Sequence, residues 1–177
     1  MNIETRKTTP LLERYPLGAI RRNHALEHAT LHILARSQPR QGLAGHSDAG
    51  GFWIVGNVSN ESVRAAVTEA LQRLQRGEYQ LAVHPNCGTN FVTAGTLAGL
   101  AGALAMFGAE KGRREKLERL PLAISLATLA LVASQPLGSF LQARVTTASD
   151  LTNLQVLEIR TSQRGRLMAH RILTRQS

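Results

Sequence analysis

Two long stretches without charge constrain this chain more than any other feature. From Cys87 to Ala109 the only ionisable group is the Cys87 thiol, and from Leu120 to Ala143 nothing is charged. A helix needs about 20 residues to cross the roughly 30 Å hydrocarbon layer of a bilayer, and each stretch is long enough. Between them, Glu110 to Arg119 is short and highly charged. The order predicts a two-helix transmembrane hairpin over residues 91–143. A buried hairpin in a soluble protein is the competing reading, because both stretches are rich in Ala and Gly. Gly95, Gly99 and Gly102 give the first helix a small-residue face, so a homo-oligomer through Gly95 and Gly99 is expected. Pro136-Leu137-Gly138 is expected to interrupt the end of the second helix.

The chain before the hairpin reads as α+β. Residues 1–16 form a polar, flexible arm ending in Tyr15-Pro16. A helix is predicted over 17–36 and stops at Ser37-Gln38-Pro39, since the residue before a proline avoids helix. Residues 41–51 form a Gly-rich loop that carries His46. Residues 51–58 are aromatic and β-branched, which predicts a strand. A second helix over 61–76 takes Asn60 as its N-cap, with Val63, Ala66, Val67, Ala70, Leu71 and Leu74 as its apolar stripe and Gly77 as its stop. Residues 79–83 read as a second strand that delivers His84 into a loop. These elements make a metal-binding helix-strand-helix-strand unit over 17–90. After the hairpin, 144–177 supplies a strand over 154–159 and a basic tail, 164–175, read as helical with His170 in solvent.

A net charge of +9 in 177 residues invites a nucleic-acid reading. The basic residues are spread over the arm, the middle and the tail, however, and aromatics make up only 4% of the chain. Base-stacking platforms are therefore missing, which argues against nucleic acid. Anionic lipid headgroups account for the same charge, so the bilayer is the expected partner. The first thirty residues are charged with no apolar run, and no cleavable signal peptide is expected. Lys111, Arg113, Arg114, Lys116 and Arg119 would hold the hairpin loop in the cytoplasm by the positive-inside rule, placing the first ninety residues outside. Without a signal sequence to carry them there, a cytoplasmic-facing soluble part is the expectation adopted.

Chemistry is concentrated in His24-Ala25-Leu26-Glu27-His28. At about 3.6 residues per turn, positions 24, 27 and 28 share one helix face, and His32 lies one turn further on. Two imidazoles four residues apart can grip one metal ion, and the carboxylate beside them can act as a base. This His-x-x-Glu-His order is that of the inverted zincins. Ile20, Leu26, Ala29 and Ile33 fall on the opposite, core face. His32 is read as packing beside the site or orienting a ligand. His46 is left open, since its glycine-rich surroundings allow close approach. Asn23 and Asn90 flank the motifs and are read as exposed.

The second motif is His84-Pro85-Asn86-Cys87-Gly88-Thr89. The single cysteine excludes an intramolecular disulfide. Placed at a helix N-terminus, Cys87 meets unpaired N–H groups and the macrodipole, which favour a thiolate. A thiolate there is a good ligand for zinc or another transition metal ion. His24, His28 and Cys87, with Glu27 as catalytic base, make an open site, and His84 as fourth ligand closes it.

Together these motifs, followed by an apolar segment, resemble the YqhQ-like bacterial membrane proteins. That group carries an HGAEH-type motif, an HPxCGT motif and a later proline segment with Leu-Gln and Thr-Thr. Here the last element is Pro136 to Gln142 followed by Thr146-Thr147. The similarity covers about residues 20–160. It implies a metal site at His24, Glu27, His28, His84 and Cys87 in a protein of the bacterial cytoplasmic membrane, and it implies no substrate. This chain departs from the pattern in Ala25-Leu26 and in the longer interval holding His46 and Trp53, as a related branch would.

Three functions follow as expectations. In the first, a zinc hydrolase or peptidase acts near the membrane, with Glu27 taking a proton from the attacking water. In the second, a closed, non-catalytic metal site staples the fold or senses a metal. In the third, Cys87 is a metal-free nucleophile with His84 or His28 as its base.

Overall fold

The computed structural model describes residues 10–107, 112–148, 150–165 and 167–176. The chain divides into two compact units. One comprises Met1–His84 with Ala143–Ser177 and the other Pro85–Gln142. The first is α+β.

Within the α+β unit, α1 (Pro10–Glu13) precedes α2 (Leu17–Ser37). The part of the expected loose arm that is described is thus a short helix, and Glu13 pairs with Arg21 and Arg22 at 2.9 and 3.1 Å. Residues 1–9 of that arm lie outside the described residues. Strands β1 (Ala44–Asp48) and β2 (Gly51–Gly56) form a hairpin. The Gly-rich segment read as a loop therefore contains a strand. The hairpin turn depends on Gly51, whose φ of 145° places a hypothetical Cβ in collision with the Ile172 carbonyl.

Helix α3 (Asn60–Gln75) is capped one residue earlier than expected, by Ser59, whose hydroxyl accepts from the Ser62 N–H at 3.1 Å. Its C-terminus closes with Gly77 N–H on Leu74 O and Glu78 N–H on Arg73 O, both at 3.0 Å, a Schellman pattern. The predicted strand over 79–83 is a 3-10 turn, Tyr79–Ala82. The reason is visible in its partners: the carbonyls of Ala82 and Val83 accept from histidines of α2 rather than from a neighbouring strand.

The remaining strands are β3 (Leu154–Arg164) and β4 (Leu167–Gln176), which complete an antiparallel sheet in the order β1-β2-β4-β3. The tail read as helical is thus a strand. His170 and Ile172 pair with Ile54 and Phe52 of β2 and are fully buried, while Arg171 between them and Leu173 after them face the other way. This alternation has period two and outweighs any helical reading of the tail. Core and sheet meet where α2 lies against α3, β1 and β2. Leu26, Leu34, Phe52, Ile54, Val63, Leu74, Leu151 and Ile172 are within 2% of complete burial. Each such side chain contributes about 1.5–3 kcal/mol.

The second unit is a helical hairpin of α4 (Gly88–Met106) and α5 (Arg113–Leu141), packed along each other. Both helices are long and apolar enough to cross a membrane, and only 11% and 6% of their apolar windows are buried. The charged segment expected as the connecting loop is in part the start of α5. There Arg114 pairs with Glu118 at 3.0 Å and Glu115 with Arg119 at 3.3 Å. Glu110 and Lys111 lie outside the described residues. Helix α5 runs through Pro121 and Pro136 without the expected interruption and continues as a π turn, Gln142–Thr146. Asn90 of α4 bridges the open ends of the hairpin: its Oδ1 accepts from Gln142 Nε2 at 2.6 Å and its Nδ2 donates to Pro85 O at 2.7 Å. Asn90 is therefore half-buried and structural rather than exposed.

Candidate metal centre

Helix α2 presents His24, His28 and His32 at successive turns. The His24 and His28 ring centroids are 4.2 Å apart. The 3-10 turn brings His84 to the same face, 5.7 Å from His28 and 4.7 Å from His32. His28 is buried, and the other three are half-buried.

Each helical histidine has one ring nitrogen on a backbone carbonyl. His24 Nδ1 meets Thr146 O at 3.0 Å, His28 Nδ1 meets Ala82 O at 2.7 Å, and His32 Nε2 meets Val83 O at 2.8 Å. A carbonyl only accepts, so the nitrogen facing it carries the proton. In the neutral rings the lone pair then falls on Nε2 of His24 and His28 and on Nδ1 of His32. Metal-ligating histidines are oriented in this manner, with the second nitrogen donating to a carbonyl or carboxylate. Burial pushes the His84 imidazole down from its usual 6.5 to about 4, and the neighbouring His32 and His28 add to the effect. His84 is neutral at physiological pH, the form a metal requires.

Glu27 is buried at 4% exposure. Its carboxylate accepts from the Ser47 hydroxyl of β1. Gly45, two residues before Ser47 on the same strand, lies so close that a Cβ there would collide with the Glu27 carboxylate. Positions 45 and 47 thus face Glu27. By strand alternation His46 faces away, and it is exposed. This settles the open position of His46: it is not beside Glu27.

Cys87 belongs to the helical unit. It is the N-cap of α4, its Sγ accepting from the Thr89 N–H at 3.4 Å. It follows His84 by three residues, a tether of at most about 11 Å between Cα atoms. Imidazole and thiol are the donor types that zinc and other borderline-soft ions accept.

Several residues with defined roles escaped the sequence reading. Asn23 is buried at 1%, donating to Asp48 O at 2.8 Å and accepting from Thr174 Oγ1 at 2.6 Å. It ties α2 to the sheet rather than lying in solvent. Arg21 reaches the carbonyls of Val145 and Thr147, both at 2.8 Å. Together with His24 it secures the C-terminal end of the π turn. Neither contact has a local sequence signal, because the partners are more than 120 residues away.

His170, expected in solvent, is fully buried between Val58 O at 3.0 Å and Thr161 Oγ1 at 2.9 Å. Burial lowers its pKa below 6.5, outweighing the opposing hydrogen bond to Val58. The unfolded chain therefore binds this proton more readily than the folded one, and stability falls as pH drops below about 6.5. Urea midpoints at pH 7.5 and pH 5.5 should show the loss, and His170→Gln should make the two midpoints converge. An unchanged gap in that variant would assign the slope to other groups.

The family described as a domain of unknown function, DUF6391, matches residues 19–159. An uncharacterized protein of Picosynechococcus sp. is 37% identical over 150 residues, which cover 79% of this chain and 71% of that protein. No solved structure matches the chain. The family match takes in both histidine motifs, both apolar helices and the start of β3, and the chain belongs to the DUF6391 family.

Proposed function

We propose that this protein is a metal-dependent membrane protein whose centre is built on His24 and His28 and completed by Cys87 and His84, with Glu27 as the base of a hydrolytic reaction. The carrying observation is the set of α2 imidazoles whose second nitrogens are fixed on backbone carbonyls. When bound, zinc or a similar ion supplies Lewis acidity, acidifying water and polarising a carbonyl. Glu27, oriented by Ser47, accepts the proton of the attacking water and returns it to the leaving group. The substrate class read from this chemistry is a peptide, amide or ester bond near the bilayer surface.

The apolar lengths and low burial of α4 and α5 support insertion in a bacterial cytoplasmic membrane. The α+β unit on the cytoplasmic side and self-association through Gly95 and Gly99 remain part of this reading. Carbon placed at either glycine would meet nothing within 4 Å, as a face available to a second copy requires. The shared motif order supports kinship with the YqhQ-like proteins.

Elemental analysis of detergent-purified wild type and Glu27→Gln, alongside hydrolysis of a quenched peptide library, tests the roles. The variant should keep stoichiometric zinc and lose about 10²–10⁴ of the turnover. Loss of the zinc would make Glu27 a ligand rather than a base.

A second reading draws on the grip of His28 and His32 on the carbonyls of Ala82 and Val83. These bonds already hold the 3-10 turn against α2, and an ion there would staple it without catalysis. Under this reading, chelation unfolds the α+β unit and no hydrolysis is found.

A further inference from the structure

The proposed centre leaves one imidazole of the cluster unused. His32 stands one turn beyond His28, and its ring is nearer to His84 than the His28 ring is, 4.7 Å against 5.7 Å. With metal–nitrogen bonds of about 2.0–2.1 Å, two imidazoles sharing a tetrahedral ion hold their ring centroids roughly 5 Å apart. The His32–His84 pair meets that spacing at least as well as the His24–His28 pair at 4.2 Å. The bond from His32 Nε2 to Val83 O fixes the ring and puts its lone pair on Nδ1. Val83 is the residue that precedes His84, so one hydrogen bond orients His32 and anchors the backbone that carries its neighbour.

One ion cannot use the whole row. His24 and His32 are eight residues apart, about 12 Å along the helix axis, beyond what two imidazoles bound to one ion can span. His28 cannot bridge two ions either, because its Nδ1 is committed to Ala82 O. His24 and His32 therefore cannot share an ion, and His84, 4.7 Å from His32 against 5.7 Å from His28, stands nearer the His32 end of the row.

We propose that His32 and His84 form a second metal position beside the one at His24 and His28, taking a divalent transition ion of the zinc type. Neutral imidazole donors select such an ion over calcium or magnesium, which prefer oxygen. The inference rests on His24 and His28 holding the first ion, with Cys87 rather than His84 completing that position whenever both are filled.

Equilibrium dialysis of the metal-stripped, detergent-solubilised full chain against Co²⁺ tests it, with thiolate-to-cobalt absorption reporting the Cys87 position. Wild type should bind two Co²⁺ per chain. His32→Gln should bind one and retain the thiolate band, since the Gln amide still offers a donor to Val83 O and preserves the fold. Circular dichroism and the melting temperature confirm that it does, and His32→Ala serves as the second variant. One ion in both wild type and His32→Gln overturns the second position while leaving the first intact. Two ions in His32→Gln overturn it as well. One ion in wild type and none in His32→Gln makes His32 a ligand of a single centre, which also overturns it. No Co²⁺ bound by wild type removes this inference and the proposed function together.

Discussion

His28→Ala is expected to weaken binding of Zn²⁺ or Co²⁺ by about 10²–10³-fold. Four-ligand zinc sites bind with roughly 10–16 kcal/mol, or about 2.5–4 kcal/mol per ligand, and each 1.4 kcal/mol is about tenfold. His28 occupies the middle of the imidazole row, 4.2 Å from His24 and 5.7 Å from His84. It is also the most buried member, at 2% exposure. The substitution has a second effect without metal. It strips the Ala82 carbonyl of its 2.7 Å partner, and an unsatisfied buried acceptor costs about 1–3 kcal/mol. Competition titration against a chromophoric chelator separates the two, because His170→Gln removes a buried imidazole outside the cluster and should leave metal affinity unchanged. Equal affinity in His28→Ala and wild type would exclude His28 as a ligand.

Arg21→Ala should produce a large loss of stability. The guanidinium is buried, with the residue 4% exposed, and donates to Val145 O and Thr147 O at 2.8 Å, to Leu12 O at 3.2 Å and to Glu13 at 2.9 Å. Glu13 is 39% exposed and keeps Arg22, so the main cost is the backbone carbonyls left bare, about 1–3 kcal/mol for each unsatisfied buried acceptor. At about 2–4 °C per kcal/mol for a chain of this size, the melting temperature should fall by roughly 10 °C. Arg21→Lys should recover only part of this, because a single ammonium cannot follow the planar fork onto several carbonyls. Arg21→Met restores the apolar stem and still leaves the carbonyls bare, so it should resemble Ala. A thermal melt in detergent decides the matter. A fall of less than 2 °C in Arg21→Ala would show that water replaces the guanidinium. Because His24 bonds Thr146 O beside these carbonyls, the substitution should also loosen the His24 ring.

Helices α2 and α3 were readable from the 3.6-residue spacing of their apolar positions, and β2 from its aromatic and β-branched run. The two apolar stretches announced α4 and α5 by length and lack of charge. The imidazole face of α2 followed from the same periodicity, since His24, His28 and His32 repeat at four residues. Local pattern served less well where the backbone found partners across the fold. The segment 79–83 has strand composition, yet its carbonyls are taken by His28 and His32, and it forms a 3-10 turn. The tail 164–175 is basic enough to read as a solvated helix, yet β2 offers it an edge, and His170 and Ile172 turn inward. Glycine content hid β1, whose small residues are what let the strand approach Glu27.

By itself the sequence determined the two apolar helices, the amphipathic helices of the α+β unit and the grouping of imidazoles and a carboxylate on one helix face. These rest on charge, periodicity and side-chain type, which are local properties. Only the tertiary structure decided which ring nitrogen of His24, His28 and His32 faces a carbonyl, what holds Glu27, and that His32 stands beside His84. Those answers come from hydrogen bonds between residues 20 to more than 120 positions apart. No spacing along the chain encodes which distant carbonyl a ring nitrogen will meet, because that depends on the whole core closing around it.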